Sequence, residues 1–320
     1  MSYRMAGEIQ VFKKICKLMG NRFEISAISH NEQSAHLAID AGINEISRIE
    51  QLLTTFNDSS ETNRINAAAG VCPIKVSPET FNLIKRSIKI SRLTQGAFDI
   101  TYGSIDKRLW NFDQQMTELP DAETAKEVVK LINYKNILLD EEKYTVYLAQ
   151  KGMRIGFGGI GKGYAAERAK QVMKLHGIES GVVNASGDLT TWGLQPNGKQ
   201  WTIAIANPNC SHEAFSYIEI SNMAVATSGN YEKYVMIGGK KYSHTINPRT
   251  GLPITGIKSV TIITTNAELA DALATPVTIM GINAGLDMIN QMNNIEAIII
   301  DDDDKLYTTK NIKLKTPYYD

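Results

Sequence analysis

Gly156-Phe157-Gly158-Gly159-Ile160-Gly161-Lys162-Gly163 runs directly into Tyr164-Ala165-Ala166-Glu167-Arg168-Ala169, and the reading of this stretch decides the fold. Gly156, Gly158 and Gly161 satisfy G-x-G-x-x-G, and Gly156 to Lys162 nearly satisfies G-x-x-x-x-G-K-[ST]. Both patterns let backbone N–H groups approach a diphosphate at a helix N-terminus. A P-loop needs a hydroxyl after the lysine to reach magnesium, and Gly163 stands there. A dinucleotide fold needs regular βαβ alternation and an acid ending the second strand, which the downstream order lacks. A glycine-rich turn that packs a helix on a sheet accounts for the same residues.

Outward from this stretch, the spacing predicts a helix from about Lys162 to His176, closed by Gly177 as a left-handed cap. Upstream, Arg22–Ile28 alternates like a strand. Asn31 caps a helix with Ile39, Ile43, Ile46, Ile49 and Leu53 on one face. Ser77-Pro78-Glu79 opens a second helix that buries Phe81, Ile84 and Ile88 and stops near Gly96. Asp121 opens a third through Ile132, and Tyr144 to Leu148 reads as a strand. Downstream, strands are expected over Gly181–Val183, Trp201–Ala206, Tyr217–Ile220 and Ser259–Thr264. Asn266 caps a helix to Met280, interrupted by Pro276, and Ile295–Ile300 with Lys305–Thr308 reads as a closing hairpin. No repeat or linker divides the chain. The fold expected is α+β: a single large domain over residues 1–320, with a mixed, largely antiparallel sheet flanked by helices.

Composition narrows the function. In 320 residues, 34 Lys and Arg balance 34 Asp and Glu. A neutral chain has no global field to draw it onto nucleic acid or an anionic membrane. No apolar run approaches a membrane span. Cys16, Cys72 and Cys210 are odd in number and far apart, which argues against a disulfide framework or a zinc site. Lys13, Lys14 and Lys17 interrupt the apolar residues of the first twenty, so no signal-peptide core is visible. The sequence as it stands predicts a cytoplasmic protein, or a periplasmic or membrane-anchored one if a leader precedes it. Polar clusters at turns, Asn184-Ala185-Ser186-Gly187-Asp188, Thr227-Ser228-Gly229-Asn230-Tyr231 and Ser243 to Gly251, point to a ligand site on loops.

Taken together, these segments resemble the ApbE family of FAD:protein FMN transferases. Gly158-Gly159-Ile160-Gly161-Lys162-Gly163-Tyr164 is similar to GGIAKGY, Val183 to Asp188 to VNAGGD, and Ala226 to Tyr231 to ATSGDY. Tyr242 to Gly251 is similar to YSHIIDPRTG, Asp271-Ala272-Leu273-Ala274-Thr275 matches DALAT, Gly96-Ala97-Phe98-Asp99 matches GAFD, and Met19-Gly20 stands at MGT. Thr54 to Asn66 resembles the STY-x(3)-SE-x(4)-N segment, with Phe56 at its tyrosine. The resemblance implies an ApbE-like fold and a magnesium-dependent reaction. In it, a threonine or serine of a target flavoprotein attacks the FAD pyrophosphate, takes FMN as a phosphoester and releases AMP. Targets in the family are flavin-carrying redox proteins such as subunits of sodium-pumping quinone reductases. The alternatives are a magnesium-dependent FAD pyrophosphatase, with water as nucleophile, and a non-catalytic flavin-binding protein.

The implied site follows residue by residue. His244 and Asp271 are the catalytic candidates: His244 to orient a phosphate oxygen or the nucleophile, Asp271 to deprotonate the incoming hydroxyl. Met19, Thr54, Phe56, Asn66, Phe98, Asp99, Gly158, Gly159, Lys162, Asp188, Thr227, Ser228, Gly229, His244 and Arg249 are candidates for FAD binding. Lys162 is either a phosphate contact or a charge held by another carboxylate. Asp271 and Thr275, four residues apart on a helix, share one face and offer oxygen ligands to a hard cation. The family pattern adds a carbonyl at Gly161. Pro276 frees the Ala272 carbonyl from its helical partner. The Asp301–Asp304 run reads as a solvated hairpin turn, and His30, His36, His176 and His212 have no comparable context.

Overall fold

The structure, a computed structural model, describes residues 8–105, 118–207, 210–229 and 234–312. Asn230 and Tyr231 of the third motif lie outside the described residues. In chain order the elements are β1 (Gln10–Leu18), β2 (Asn21–Ser29), α1 (Glu32–Leu53), α2 (Glu61–Ala67), β3 (Ile74–Lys75), α3 (Pro78–Leu93) and α4 (Ala122–Val129). Then come β4 (Ile137–Asp140), β5 (Thr145–Leu148), α5 (Gly161–Leu175), β6 (Ser180–Ala185), β7 (Asp188–Trp192), β8 (Trp201–Asn207) and β9 (Cys210–Ile220). The chain continues through β10 (Ala224–Gly229), β11 (Tyr234–Ile237), β12 (Lys240–Ser243), β13 (Ile257–Thr264), α6 (Ala267–Met280), α7 (Ile282–Asn290), β14 (Glu296–Asp301) and β15 (Leu306–Thr308).

The main sheet has eight strands in the order β1-β2-β6-β7-β10-β13-β14-β15, each described pair antiparallel. Alternation sends neighbouring residues to opposite faces. Ala224, Ala226, Ile262, Ala297 and Ile299 join the large core under the helices. Val225, Ile263 and Ile298 join a second core with Ile205, Ile218 and Ile220 of the β8–β9 hairpin. The middle of the sheet is therefore buried on both faces, which is why Val260 to Ile263 is almost continuously apolar. Helices α1, α5 and α6 pack side by side over the first face.

Local chemistry starts the helices where the caps predict. The side chains of Asn31, Ser77, Asp121 and Asn266 each accept a backbone N–H in the first turn that follows. Gly177 takes φ +83° as the cap of α5. The third helix stops at Val129, short of Ile132, because Asn133 opens a new 3₁₀ turn with its side chain on Lys135 N. Strand β1 was not expected, since its lysines hide its alternation. Lys13 and Lys14 pair with Glu24 and Asp40, and the strand forms a charged edge of the sheet. The Met19-Gly20 turn joins β1 to β2 with both residues at positive φ, a geometry that suits a two-residue hairpin. Among the described residues no helix is long and apolar enough to cross a membrane.

Candidate functional site

The glycine segment is held from two sides. On one, Asn66 grips the backbone that enters it: Nδ2 donates to Ile155 O at 3.0 Å and Oδ1 accepts from Ile155 N at 2.7 Å. Gly156 N donates to Ile100 O at 2.9 Å. A Cβ built on Gly159 would stand 3.6 Å from Phe98 Cε2, and one on Gly156 3.9 Å from Thr55 Cγ2. Asp99 is spent on this scaffold too. Its Oδ1 accepts from Thr101 N and Thr101 Oγ1, and its Oδ2 from Tyr134 N at 2.7 Å. Thr54 Oγ1 accepts from Phe56 N at 3.1 Å, while the Phe56 ring is 99% exposed.

On the other side the segment meets α6. A Cβ on Gly163 would lie 2.1 Å from Ala267 O, so only glycine lets α5 and α6 approach here. The position that spoiled the P-loop reading is thus set by helix packing. Ile160, the N-cap of α5, supplies no side-chain cap. Asp271 takes that part from the neighbouring helix, accepting from Gly163 N at 2.9 Å and from Lys162 N. Gly161 N is bonded to Phe157 O. The first-turn amides of α5 are therefore occupied, and the helix start is not an open anion site. Among the described residues, the amides of Gly158 and Gly159 have no such partner. A Cβ on Gly158 would meet nothing within 4 Å, so open space lies over this part of the loop.

Three charges meet at the start of α5. Lys162 Nζ binds Asp188 Oδ2, and Asp188 Oδ1 accepts from Thr227 N at 3.3 Å. Of the two readings for Lys162, the structure shows the charge held by a carboxylate. Thr227 Oγ1 shares a 2.9 Å hydrogen bond with Thr261 Oγ1. Asp188 is placed by the β6–β7 turn, where Ser186 and Gly187 both have positive φ. Met19 reaches the same corner: a Cβ on Gly161 would lie 3.5 Å from Met19 Cε. Ser228 and Gly229 continue β10 beyond Thr227, half-buried.

Asp271 is buried, and that burial, with the charge of Asp188 next, pushes its carboxyl up to about 7. Burial likewise raises Asp188, against the pull of Lys162. For Lys162 burial acts downward, and the carboxylates of Asp188 and then Asp271 outweigh it, leaving its pKa above the ordinary lysine value. Two buried acids with one ammonium between them carry an excess of negative charge when both ionise. Thr275, half-buried, lies one turn along α6 from Asp271, and Pro276 follows inside the helix. Asp271, Thr275 and the Gly161 carbonyl are all hard oxygen donors. Among the described residues no group of three or more His, Cys, Asp or Glu could hold a metal. A cation here fits only as magnesium is usually bound, by few protein ligands completed by water and phosphate.

His244 follows β12 and is exposed. Its segment is moored on the stretch from Gln95 to Tyr102 and on α4. Ile246 N donates to Tyr102 Oη at 3.3 Å, Ile246 bridges Pro253, and Arg249 donates to Gln95 O. Gly251, at φ +71°, seats this turn on α4, where a Cβ would strike Ala125 O. Sequence reasoning missed the pinning role of Asn66, since an Asn inside a short helix carries no signal of its distant partner. It also missed Thr261, which sits inside an apolar strand.

The profile of the ApbE family matches residues 19–299. The chain is 31% identical over 293 residues to an FAD:protein FMN transferase of Klebsiella pneumoniae, covering 91% of this chain and 89% of that one. It is 27% identical to the FAD:protein FMN transferase of Treponema pallidum, covering 87% and 80%. The crystal structure of the ApbE protein from Thermotoga maritima superposes with a TM-score of 0.83 at 29% identity, covering 94% of this chain and 97% of that one. The flavin transferase ApbE from Vibrio cholerae gives 0.81 at 26%, covering 94% and 98%.

Proposed function

The chain belongs to the ApbE family, and on that premise we propose that it transfers FMN from FAD to a threonine or serine hydroxyl of a target flavoprotein, releasing AMP. The observation that carries the reading is the half-buried Lys162 held by the buried Asp188 and Asp271 at the α5 start, four residues along the chain from the open space over Gly158. The pyrophosphate of FAD lies over Gly158 and Gly159, whose amides have no partner among the described residues. The Lys162 ammonium, held by Asp188, adds positive charge at the helix start that follows the loop. Asp271 accepts the proton of the attacking hydroxyl. The hydroxyl oxygen bonds to the FMN phosphorus, and the bond from that phosphorus to the AMP oxygen breaks. His244 orients a phosphate oxygen or the nucleophile, with Arg249 five residues on in sequence. Asp271, Thr275 and the Gly161 carbonyl would hold magnesium, which when bound offsets charge on the phosphates. Phe56, at the rim, offers its ring face to the flavin; Thr54, Asn66, Phe98 and Asp99 fix the loops that frame it.

The test mixes the protein, FAD, magnesium and a candidate flavoprotein domain, and follows in-gel flavin fluorescence and free AMP. Label on the acceptor with stoichiometric AMP is expected. AMP without label means that water replaces the hydroxyl, and neither product means a binder. His244→Ala is expected to retain FAD and lose most transfer; wild-type turnover in that variant would remove His244 from the reaction.

A further inference from the structure

Beyond the charged triad, the molecule carries a long cationic trough. A cleft of about 610 Å³ lies between α3 and β4 and is lined by Lys85, Lys89, Arg92 and Lys135. A second, of about 390 Å³, shares Arg92 and Lys135 with it and ends at Arg249. Lys85, Lys89 and Arg92 fall at i, i+4 and i+7 of α3, so one helix face presents all three. Only Lys85 is neutralised, by Glu141 at 2.7 Å. Among the described residues Lys89, Arg92 and Lys135 hold no ion pair, and all three are exposed. Asp99, the acid at the far end, has both oxygens committed to backbone and hydroxyl donors. In a chain of zero net charge such an excess is not a consequence of composition. The trough is also not purely polar: Leu138 in its wall is 52% exposed, beside Tyr134.

The trough leads to the site. Gln95, Gly96 and Asp99 line its inner end, while the same stretch turns Phe98 toward Gly159 and Ile100 O toward Gly156 N on its other side. We propose that this trough is a docking surface for an acidic segment of the acceptor protein, carrying an apolar side chain for Leu138 and leading its hydroxyl to the glycine loop. The proposal rests on the transferase reading for the identity of the partner. Complementary charge sets encounter rate and register, and its contribution is screened by salt.

The experiment titrates the full chain, and its Lys89→Glu/Arg92→Glu/Lys135→Glu variant, with a fluorescent peptide holding one threonine, several aspartates and a leucine. Wild type is expected to bind about tenfold or more tightly than the variant at low salt, and the gap to close near ~0.5 M salt. A peptide with lysines for the aspartates is expected not to bind, and FAD affinity and thermal unfolding to be unchanged in the variant. Equal binding by variant and wild type would overturn the proposal. So would equal or tighter binding of a single-stranded oligonucleotide of the same charge, which would make the trough a phosphate-backbone surface. The two readings fail separately. Charge-dependent peptide binding by a wild type that labels no protein would sink the transferase and keep the docking surface. Equal labelling of a protein acceptor by both forms, at limiting acceptor, would sink the docking surface and keep the transferase.

Discussion

Gly163 and Gly158 sit five residues apart in one glycine run and have opposite reasons to be glycine. A methyl group on Gly163 would meet the Ala267 carbonyl and Asp271 Cβ, both backbone-fixed, whereas one on Gly158 would enter open space. Gly163→Ala is therefore expected to destabilise the fold by about 1–3 kcal/mol through overpacking, read from denaturant midpoints. Gly158→Ala is expected to leave stability unchanged and to weaken FAD binding several-fold; unchanged affinity would remove the loop from the pocket. Phe56→Ser follows the same logic: with its ring exposed, stability should move by less than ~0.5 kcal/mol. Asp271 gives a pH test. Its folded carboxyl, near 7, lies above the unfolded value of 3.8, so between those pH values the folded state holds a proton that the unfolded state has lost. Stability from this group is then complete below about 4 and falls as pH rises to about 7. Without added metal, wild type is expected to lose stability relative to Asp271→Asn across that window, and parallel curves would sink the assignment. Asp188 and Asp271 repel one another, so the comparison reads the pair of acids and not Asp271 alone.

Helix starts were legible because a cap is a local event: Asn31, Ser77, Asp121 and Asn266 each bond an amide two or three residues on. Strand β7 was not. Thr190 and Thr191 are fully buried next to Leu189 and Trp192, so β7 shows no alternation, and its burial depends on partners far along the chain. The α5–α6 seam was equally hidden. One turn beyond Gly163, Glu167 Oε2 accepts from Ala267 N at 3.1 Å and Oε1 meets Lys170 Nζ at 3.1 Å, while Lys170 also reaches Thr190. Nothing in the sequence marks Glu167. In the structure it caps α6 and neutralises a buried lysine. Glu167→Ala is expected to cost about 2–4 kcal/mol, because it strands both a helix-start amide and a buried ammonium. A loss under ~0.5 kcal/mol in urea unfolding would show that the seam is held by packing alone.

At the scale of the whole molecule, the site is a meeting of distant pieces: the β1–β2 turn at Met19, the α5 start, the β6–β7 turn at Asp188, β10 at Thr227 and α6 at Asp271. Their types and order were readable as motifs. Their division of labour was not, since Lys162 could face a phosphate or a carboxylate until Asp188 was placed beside it. A ligand bridging those pieces binds only the folded chain, so it adds stability by mass action, about 2.7 kcal/mol at roughly a hundred times its dissociation constant. FAD is therefore expected to raise the unfolding midpoint by a few degrees in wild type and in Asp271→Asn alike, because asparagine still accepts from Gly163 N and keeps the α5 start in place. Magnesium is expected to add a further shift in wild type only. It has Asp271 as its one carboxylate ligand among the proposed donors, and the neutral amide leaves the phosphates to hold the cation with Thr275 and a carbonyl. Differential scanning fluorimetry of both proteins, with FAD and with FAD plus magnesium, reads the two effects apart. An equal magnesium increment in Asp271→Asn would place the cation elsewhere, and loss of the FAD shift itself would mean that Asp271 shapes the flavin pocket and not the metal site.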